Sequence, residues 1–213
     1  MRVSDERYSR DLRRLDLAVR MTRHLARTSQ IAKWTGLSAR RVRLVQTDAL
    51  RVERTDDAQR PRGSSPSALT PLFRSAPRRS EATALALLCG IFEVLPSERG
   101  DKAVRDLPSV ARGERLCAAF EAYQALVPKP SFGMEEAVLL VSAIVRGGQV
   151  EMDRCMQCEA AILTHRLRRD RRLCGACADS LQGALIPCRD EVSQELFEAE
   201  RSWEPVQLQR SLF

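Results

Sequence analysis

The chain has 213 residues, of which 44% are hydrophobic and 5% aromatic, so it can bury a core made mostly of aliphatic side chains. The sequence shows neither an apolar N-terminal signal segment nor an apolar run long enough to cross a bilayer, so we expect a cytoplasmic protein without membrane contact. The net charge of +7 lies entirely in residues 1–60, which hold fifteen Lys/Arg against eight Asp/Glu, and this excess favours an anionic partner over a merely solvated basic face.

Residues 1–54 are predicted to form a helical region of three helices. The first is expected from Asp11 to Ala26, with an inward stripe at Leu12, Leu15, Val19, Thr22 and Ala26. A short second helix is expected over Ser29–Thr35, and Gly36 ends it. Ser38 is a good N-cap for a third helix that runs toward Leu50.

The segment from Thr28 to Thr47 has the form of a helix-turn-helix. Ala32 is small enough for two helices to approach each other, and Gly36 suits the tight turn because a positive φ costs it little. The shared core would consist of Ile31, Leu37, Val42 and Val45. The alternative is a helical hairpin that contributes only to packing and does not contact DNA.

The exposed start of the third helix is the predicted DNA-binding surface. Arginine can hold phosphates or read the edge of guanine, and Arg41 is the expected phosphate contact. Leu44 also points outward, which suggests a partner contact or a tilted helix. The candidate DNA-binding residues are Ser38, Ala39, Arg40, Arg41 and Arg43.

Residues 55–80 are rich in Pro and Ser and are predicted to form a long loop, which Leu69, Leu72 and Phe73 could anchor to a surface. A helical core is predicted over 81–149, with a further helix and a tail over 186–213. The expected helices after the loop are Glu81–Leu95, Arg112–Leu126, Met134–Arg146 and Asp190–Trp203.

Four cysteines between residues 150 and 185 form two C-x-x-C pairs, a strong zinc signature. Four thiolates close a tetrahedron and leave no open position, so we expect one structural Zn²⁺ per chain in a small lobe. Iron has the same ligand set and stays open as an alternative. Redox chemistry is disfavoured because no strand pattern precedes either pair. The expected ligands are Cys155, Cys158, Cys174 and Cys177.

The loop between the two pairs is rich in arginine, which either offsets the anionic metal centre or contacts DNA phosphates. His165 lies in the same region, but four cysteines already complete the metal shell. The remaining cysteines in helical context, Cys89 and Cys117, are expected to be buried and inert. Neither a phosphate-binding glycine loop nor a nucleophile elbow is visible, so we expect binding rather than catalysis.

This order of parts resembles the FlhC family, across roughly residues 12–185. The resemblance rests on the run W-T-G-L-S-A-R-R-V-R-L-V, the Pro-rich loop after it, and the spacing C-x2-C-x15-C-x2-C. One departure from the family is Glu159-Ala160, where related proteins tend to have Gly in the turn after Cys158. The resemblance implies a mainly α fold with a zinc lobe that holds the metal through the four cysteines.

The resemblance also implies partners. It implies an activator subunit that joins a FlhD-like protein in a heterohexamer of four FlhD and two FlhC. Such a complex binds double-stranded promoter DNA of flagellar operons and activates transcription by RNA polymerase. The residues alone leave a second hypothesis open, which is a zinc-stabilised protein–protein adaptor that never contacts DNA.

Overall fold

The computed structural model describes residues 5–52, 66–97, 99–166 and 172–181. Within these ranges the protein is mainly helical, with eight α-helices and one two-stranded hairpin, so the predicted mainly α class is confirmed. The predicted helix Asp190–Trp203 and tail, together with most of the predicted Pro/Ser-rich loop, lie outside the described residues.

The N-terminal unit consists of α1 (Asp5–Arg23), α2 (Thr28–Thr35) and α3 (Ala39–Val52). The second and third helices lie within two residues of their predicted bounds. The first begins six residues earlier than predicted, at Asp5, and it ends three residues earlier because the backbone turns at Leu25, whose φ is 57°. Its predicted inward stripe is partly wrong, since Leu12 is exposed. The most deeply buried side chains of α1 are Leu17, Ala18, Met21 and Thr22.

A 3-10 helix and four α-helices form the central core: Thr70–Phe73, then α4 (Ala76–Ile91), α5 (Asp101–Asp106), α6 (Val110–Leu126) and α7 (Met134–Arg146). Residues 76–80, predicted as loop, are the first turn of α4. Ser75 caps this helix by accepting a hydrogen bond from the backbone N–H of Arg78 at 3.5 Å.

The apolar anchor predicted within the loop is buried in the protein's own core. Leu69, Leu72 and Phe73 are at most 5% exposed. They therefore anchor the end of the predicted loop to the core, as expected, and are not available as a surface for a partner.

The cysteine lobe contains β1 (Val150–Arg154), β2 (Ala161–His165) and α8 (Gly175–Leu181). The strands pair antiparallel with Val150 opposite His165 and Arg154 opposite Ala161. The expectation that no strand precedes the first cysteine pair is therefore wrong. β1 does alternate apolar and polar residues from Val150 to Asp153, and this short signal was overlooked, whereas β2 shows no such alternation.

The N-terminal unit docks tightly on α6. A Cβ on Gly113 would lie 2.6 Å from Cδ2 of Leu17 and 3.4 Å from Cε3 of Trp34, so a larger residue there would force the Leu17 side chain to move. Two ion pairs add to the contact. Arg20 Nε donates to Oε1 of Glu121 at 2.7 Å, and the Arg27 guanidinium lies 2.5 Å from Oε1 of Glu135. These contacts hold α1–α3 on the helical core.

Candidate metal centre and nucleic-acid interface

The four predicted ligand cysteines lie together in the cysteine lobe. Their Sγ atoms all lie within 4.8 Å of one another, and those of Cys158 and Cys174 are 3.6 Å apart. All four are free thiols. A tetrahedral Zn²⁺ with Zn–S bonds of about 2.3 Å requires sulfurs about 3.8 Å apart. The arrangement therefore could hold one metal ion of that size.

The first pair is positioned by the end of the hairpin. Cys155 follows β1 directly, and its backbone N–H donates to the carbonyl of Ala160 at 2.8 Å. The N–H of Glu159 donates back to the carbonyl of Cys155 at 3.0 Å, which closes a turn around Cys158. Glu159 has a φ of 61°. This is the left-handed conformation that favours glycine, at the position where the resembled family tends to carry one.

The second pair is positioned by the start of α8. Cys174 precedes the helix and Cys177 lies in its first turn. The N–H of Cys177 donates to Sγ of Cys174 at 3.4 Å, and the N–H of Cys174 donates to Sγ of Cys155 at 3.3 Å. A backbone hydrogen bond from Met156 to the carbonyl of Arg172, at 2.9 Å, joins the two arms.

Ionisation of the quartet follows from its surroundings. Burial raises the pKa of Cys155, but hydrogen bonds from backbone amides outweigh burial and bring the pKa to about 6. Burial and the neighbouring thiols raise the pKa of Cys177. Four adjacent thiols cannot all ionise without a compensating charge, which a divalent cation supplies. By contrast, burial raises the pKa of Cys89 and Cys117 to about 12, as expected for inert thiols.

Two of the arginines near the cysteine pairs bind carboxylates of the same lobe. Arg166 Nε lies 3.3 Å from Oε2 of Glu151, and Arg172 Nε lies 3.4 Å from Oδ2 of Asp153. These pairs favour charge compensation within the lobe over a role in DNA contact for these two residues. The other loop arginines lie outside the described residues. His165 contacts the edge of the Phe73 ring, with centroids 5.5 Å apart, and is not part of the thiol cluster.

The lobe is seated on α4. The backbone N–H of Leu163 donates to Oγ1 of Thr83 at 2.9 Å. A Cβ on Gly175 would overlap Oγ of Ser80, so the first residue of α8 packs directly against α4. A cavity of 210 Å³ lies between α4 and the lobe. The four-cysteine cluster is therefore fixed to the helical core.

The predicted turn between α2 and α3 has the expected local geometry. Gly36 adopts a φ of 70°, and its N–H donates to the carbonyl of Ala32 at 2.9 Å. Ser38 Oγ accepts a weak hydrogen bond from the N–H of Arg41 at 3.4 Å, as expected of an N-cap. The predicted inward side chains are buried or half-buried: Ile31, Leu37, Val42 and Val45.

The predicted DNA-binding residues are all exposed, and together they are called here the α3 face: Ser38, Ala39, Arg40, Arg41 and Arg43. Among the described residues, none of the three arginines lies within ion-pair distance of a carboxylate. The sequence holds no Asp or Glu between Thr28 and Thr47. Among the described residues of α3, the first carboxylate after these arginines is the exposed Asp48, so the start of the helix carries three arginines without a paired carboxylate there.

The sequence analysis did not single out Gln46, a buried glutamine that joins α3 to the start of α2. Gln46 is 5% exposed, and its Nε2 donates to the carbonyl of Ala26 at 3.3 Å. Its Oε1 accepts a hydrogen bond from Oγ1 of Thr28 at 2.8 Å. Its position four residues after the inward Val42 is the signal that could have revealed it, because such residues share one helix face.

No protein-family model matches this chain, and no curated protein or solved structure is significantly similar to it. Among the described helices, none has the length and apolar composition that a membrane crossing requires.

Proposed function

We propose that this protein is a DNA-binding subunit of a transcriptional activator, stabilised by a structural metal. The observation that carries the proposal is the α3 face. Three exposed arginines follow the helix start without a carboxylate partner among the described residues, on a unit docked firmly to the core. Elsewhere, arginines such as Arg13, Arg20 and Arg27 are paired with carboxylates.

In this proposal α2 and α3 act as a helix-turn-helix, and α3 enters the major groove with its N-terminal residues toward the bases. The positive end of the helix dipole favours phosphate there. Arg40 and Arg43 would read guanine edges, and Arg41 would bind a phosphate. Ser38 and Ala39, at the helix start, would lie closest to the DNA backbone.

The metal in this proposal is one Zn²⁺ per chain, held by Cys155, Cys158, Cys174 and Cys177. Bound there, it would cross-link the two arms of the cysteine lobe and balance the thiolate charge. Four protein ligands leave no open position, so the metal would stabilise rather than react. Iron is the rival ion for the same donors.

The biological setting of the proposal rests on the resemblance to FlhC. It comprises promoters of flagellar operons in the cytoplasm, a FlhD-like partner in a heterohexamer of four FlhD and two FlhC, and RNA polymerase. The charge, burial and contacts of this chain support only the DNA-binding part of it.

A specific observation also favours the adaptor as a second candidate. Leu87 and Ile91 on α4 are 42% and 73% exposed, and Leu87 lines the cavity beside the cysteine lobe. Exposed apolar side chains beside a cavity are typical of protein-binding surfaces. An adaptor would use this surface and would not need the α3 face.

The experiment is a salt titration of duplex binding by the full chain. Each phosphate contact contributes about 0.9 to the slope of log K against log salt. Arg41→Ala should flatten the slope by about 1, whereas Arg40→Ala or Arg43→Ala should weaken binding by about 1–3 kcal/mol if each reads a base.

The matched control is Arg115→Ala with Arg146→Ala, which removes two exposed arginines that pair with Glu93 and Asp101. It changes the net charge without touching the α3 face, so affinity should stay close to that of the wild type. Equal binding by the wild type and all three single α3 variants would reject DNA binding through this face and favour the adaptor.

A further inference from the structure

An apolar side chain lies in the middle of the charged α3 face. Leu44 is 60% exposed. With about 100° per residue, it lies about 40° from Arg40 and about 60° from Arg41 around the helix axis, whereas the buried Val42 lies on the opposite side. Arg40 and Arg41, two of the arginines that would face nucleic acid, therefore flank Leu44 on its N-terminal side, and the exposed Asp48 lies one turn further along the helix.

The position of Leu44 limits what can cover it. The inward face of α3 is already occupied by Val42 and Gln46, which pack against α1 and α2. Whatever buries Leu44 must also accept two guanidinium groups at its sides. A duplex major groove meets both requirements, because it presents phosphates and guanine acceptors beside the one apolar group on a base edge, the C5-methyl of thymine.

We propose that Leu44 is a specificity-determining residue that contacts the C5-methyl group of thymine. The inference rests on the proposed DNA-binding function and adds to it the kind of base that this residue selects. Arg40 and Leu44 are about 6 Å apart along the helix axis, and base pairs are stacked about 3.4 Å apart. The recognised site therefore contains a guanine and a thymine within about two base pairs of each other.

The test uses duplexes that the full-length chain selects from a random library of oligonucleotides. Each thymine of the selected duplex is replaced in turn by deoxyuracil, which removes the methyl group and leaves base pairing intact. Affinities are measured for the wild type and Leu44→Ala. The control is Leu126→Ala, which truncates a leucine of similar exposure on another helix.

At one position deoxyuracil should weaken wild-type binding about fourfold, the change expected when one methyl group is no longer buried. The same replacement should leave the affinity of Leu44→Ala unchanged, because a double-mutant cycle isolates the shared contact. The Leu126→Ala variant should respond to deoxyuracil as the wild type does.

Three results would overturn the inference. If Leu44→Ala loses the same factor as the wild type at every substituted thymine, Leu44 does not contact the methyl group. If Leu44→Ala binds DNA normally but its self-association in sedimentation is weakened, Leu44 contacts protein. If the wild type selects no duplex at all, the proposed DNA-binding function itself is wrong. That result differs from the first two, which overturn only the role of Leu44.

Discussion

Replacing one metal ligand should destabilise the cysteine lobe through loss of metal rather than loss of packing. Cys155 is 2% exposed, and its Sγ lies within 4.8 Å of the other three sulfurs. Structural zinc supplies about 10–16 kcal/mol to a four-thiolate site, so one ligand accounts for about 3 kcal/mol. Cys155→Ser should therefore weaken zinc binding by about a hundredfold.

The assay combines metal content with thermal unfolding. Purified wild-type protein and Cys155→Ser are analysed for zinc by mass spectrometry, and unfolding is followed with and without a chelator. The wild type should contain one zinc and lose stability when the chelator is added. The variant should contain little zinc and respond weakly to the chelator.

Cys89→Ala is the matched control, because Cys89 is fully buried in α4 and outside the thiol cluster. It should cost some packing energy but leave the zinc content and the chelator response intact. The reasoning is refuted if Cys155→Ser keeps full zinc content, or if both variants lose stability to the same extent regardless of the chelator.

Two further predictions concern the docking of the N-terminal unit on α6. Gly113→Ala should destabilise the protein by about 1–3 kcal/mol in urea unfolding, because its Cβ would overlap a packed leucine. The control is Gly90→Ala, whose Cβ meets no atom within 4 Å, and it should instead stabilise the protein by up to about 1 kcal/mol. Equal changes in the free energy of unfolding for the two variants would contradict the packing argument. The hydrogen bond from Arg20 lowers the pKa of Glu121 to about 2 from its usual 4.5. The pKa of Glu121 is lower in the folded state than in the unfolded state, so its ionised form stabilises the fold, by about 1 kcal/mol after solvent screening. This contribution is complete above pH 4.5 and is lost as the pH falls toward 2. The difference in free energy of unfolding between wild type and Glu121→Gln should therefore shrink as the pH falls from 4.5 to 2. A difference that does not change with pH would contradict the proposed role of the Arg20–Glu121 pair.

Local signals predicted the parts of the chain whose geometry is set by nearby residues. The helix Met134–Arg146 has its predicted bounds, because Gly133 and Gly147 flank it and Glu136 accepts a hydrogen bond from the N–H of Gly133 at 3.0 Å. The four cysteines come together as their spacing predicts, since each C-x-x-C turn places two sulfurs side by side. The identity of the ion does not follow from this geometry.

The sequence predicted less well the features that depend on strand alternation or on contacts between distant residues. The strand before Cys155 was missed because its apolar/polar alternation covers only four residues, Val150 to Asp153, which is the shortest run that indicates a strand. Glu135 lies in the first turn of α7, where its Oε1 is 2.5 Å from the guanidinium of Arg27 and joins α7 to the N-terminal unit. No local signal in the sequence predicts that pairing, because the two residues are far apart along the chain.

Sequence by itself determined the thiol quartet, the arginine-rich start of α3 and the turn at Gly36, because ligand spacing, charge placement and φ preference are local properties. Only the tertiary structure decided which charges remain available. Arg20 binds Glu121, which is 101 residues away, whereas the arginines of the α3 face have no carboxylate partner among the described residues. Whether an arginine is paired depends on which distant segment packs beside it, and that is a property of the folded chain alone.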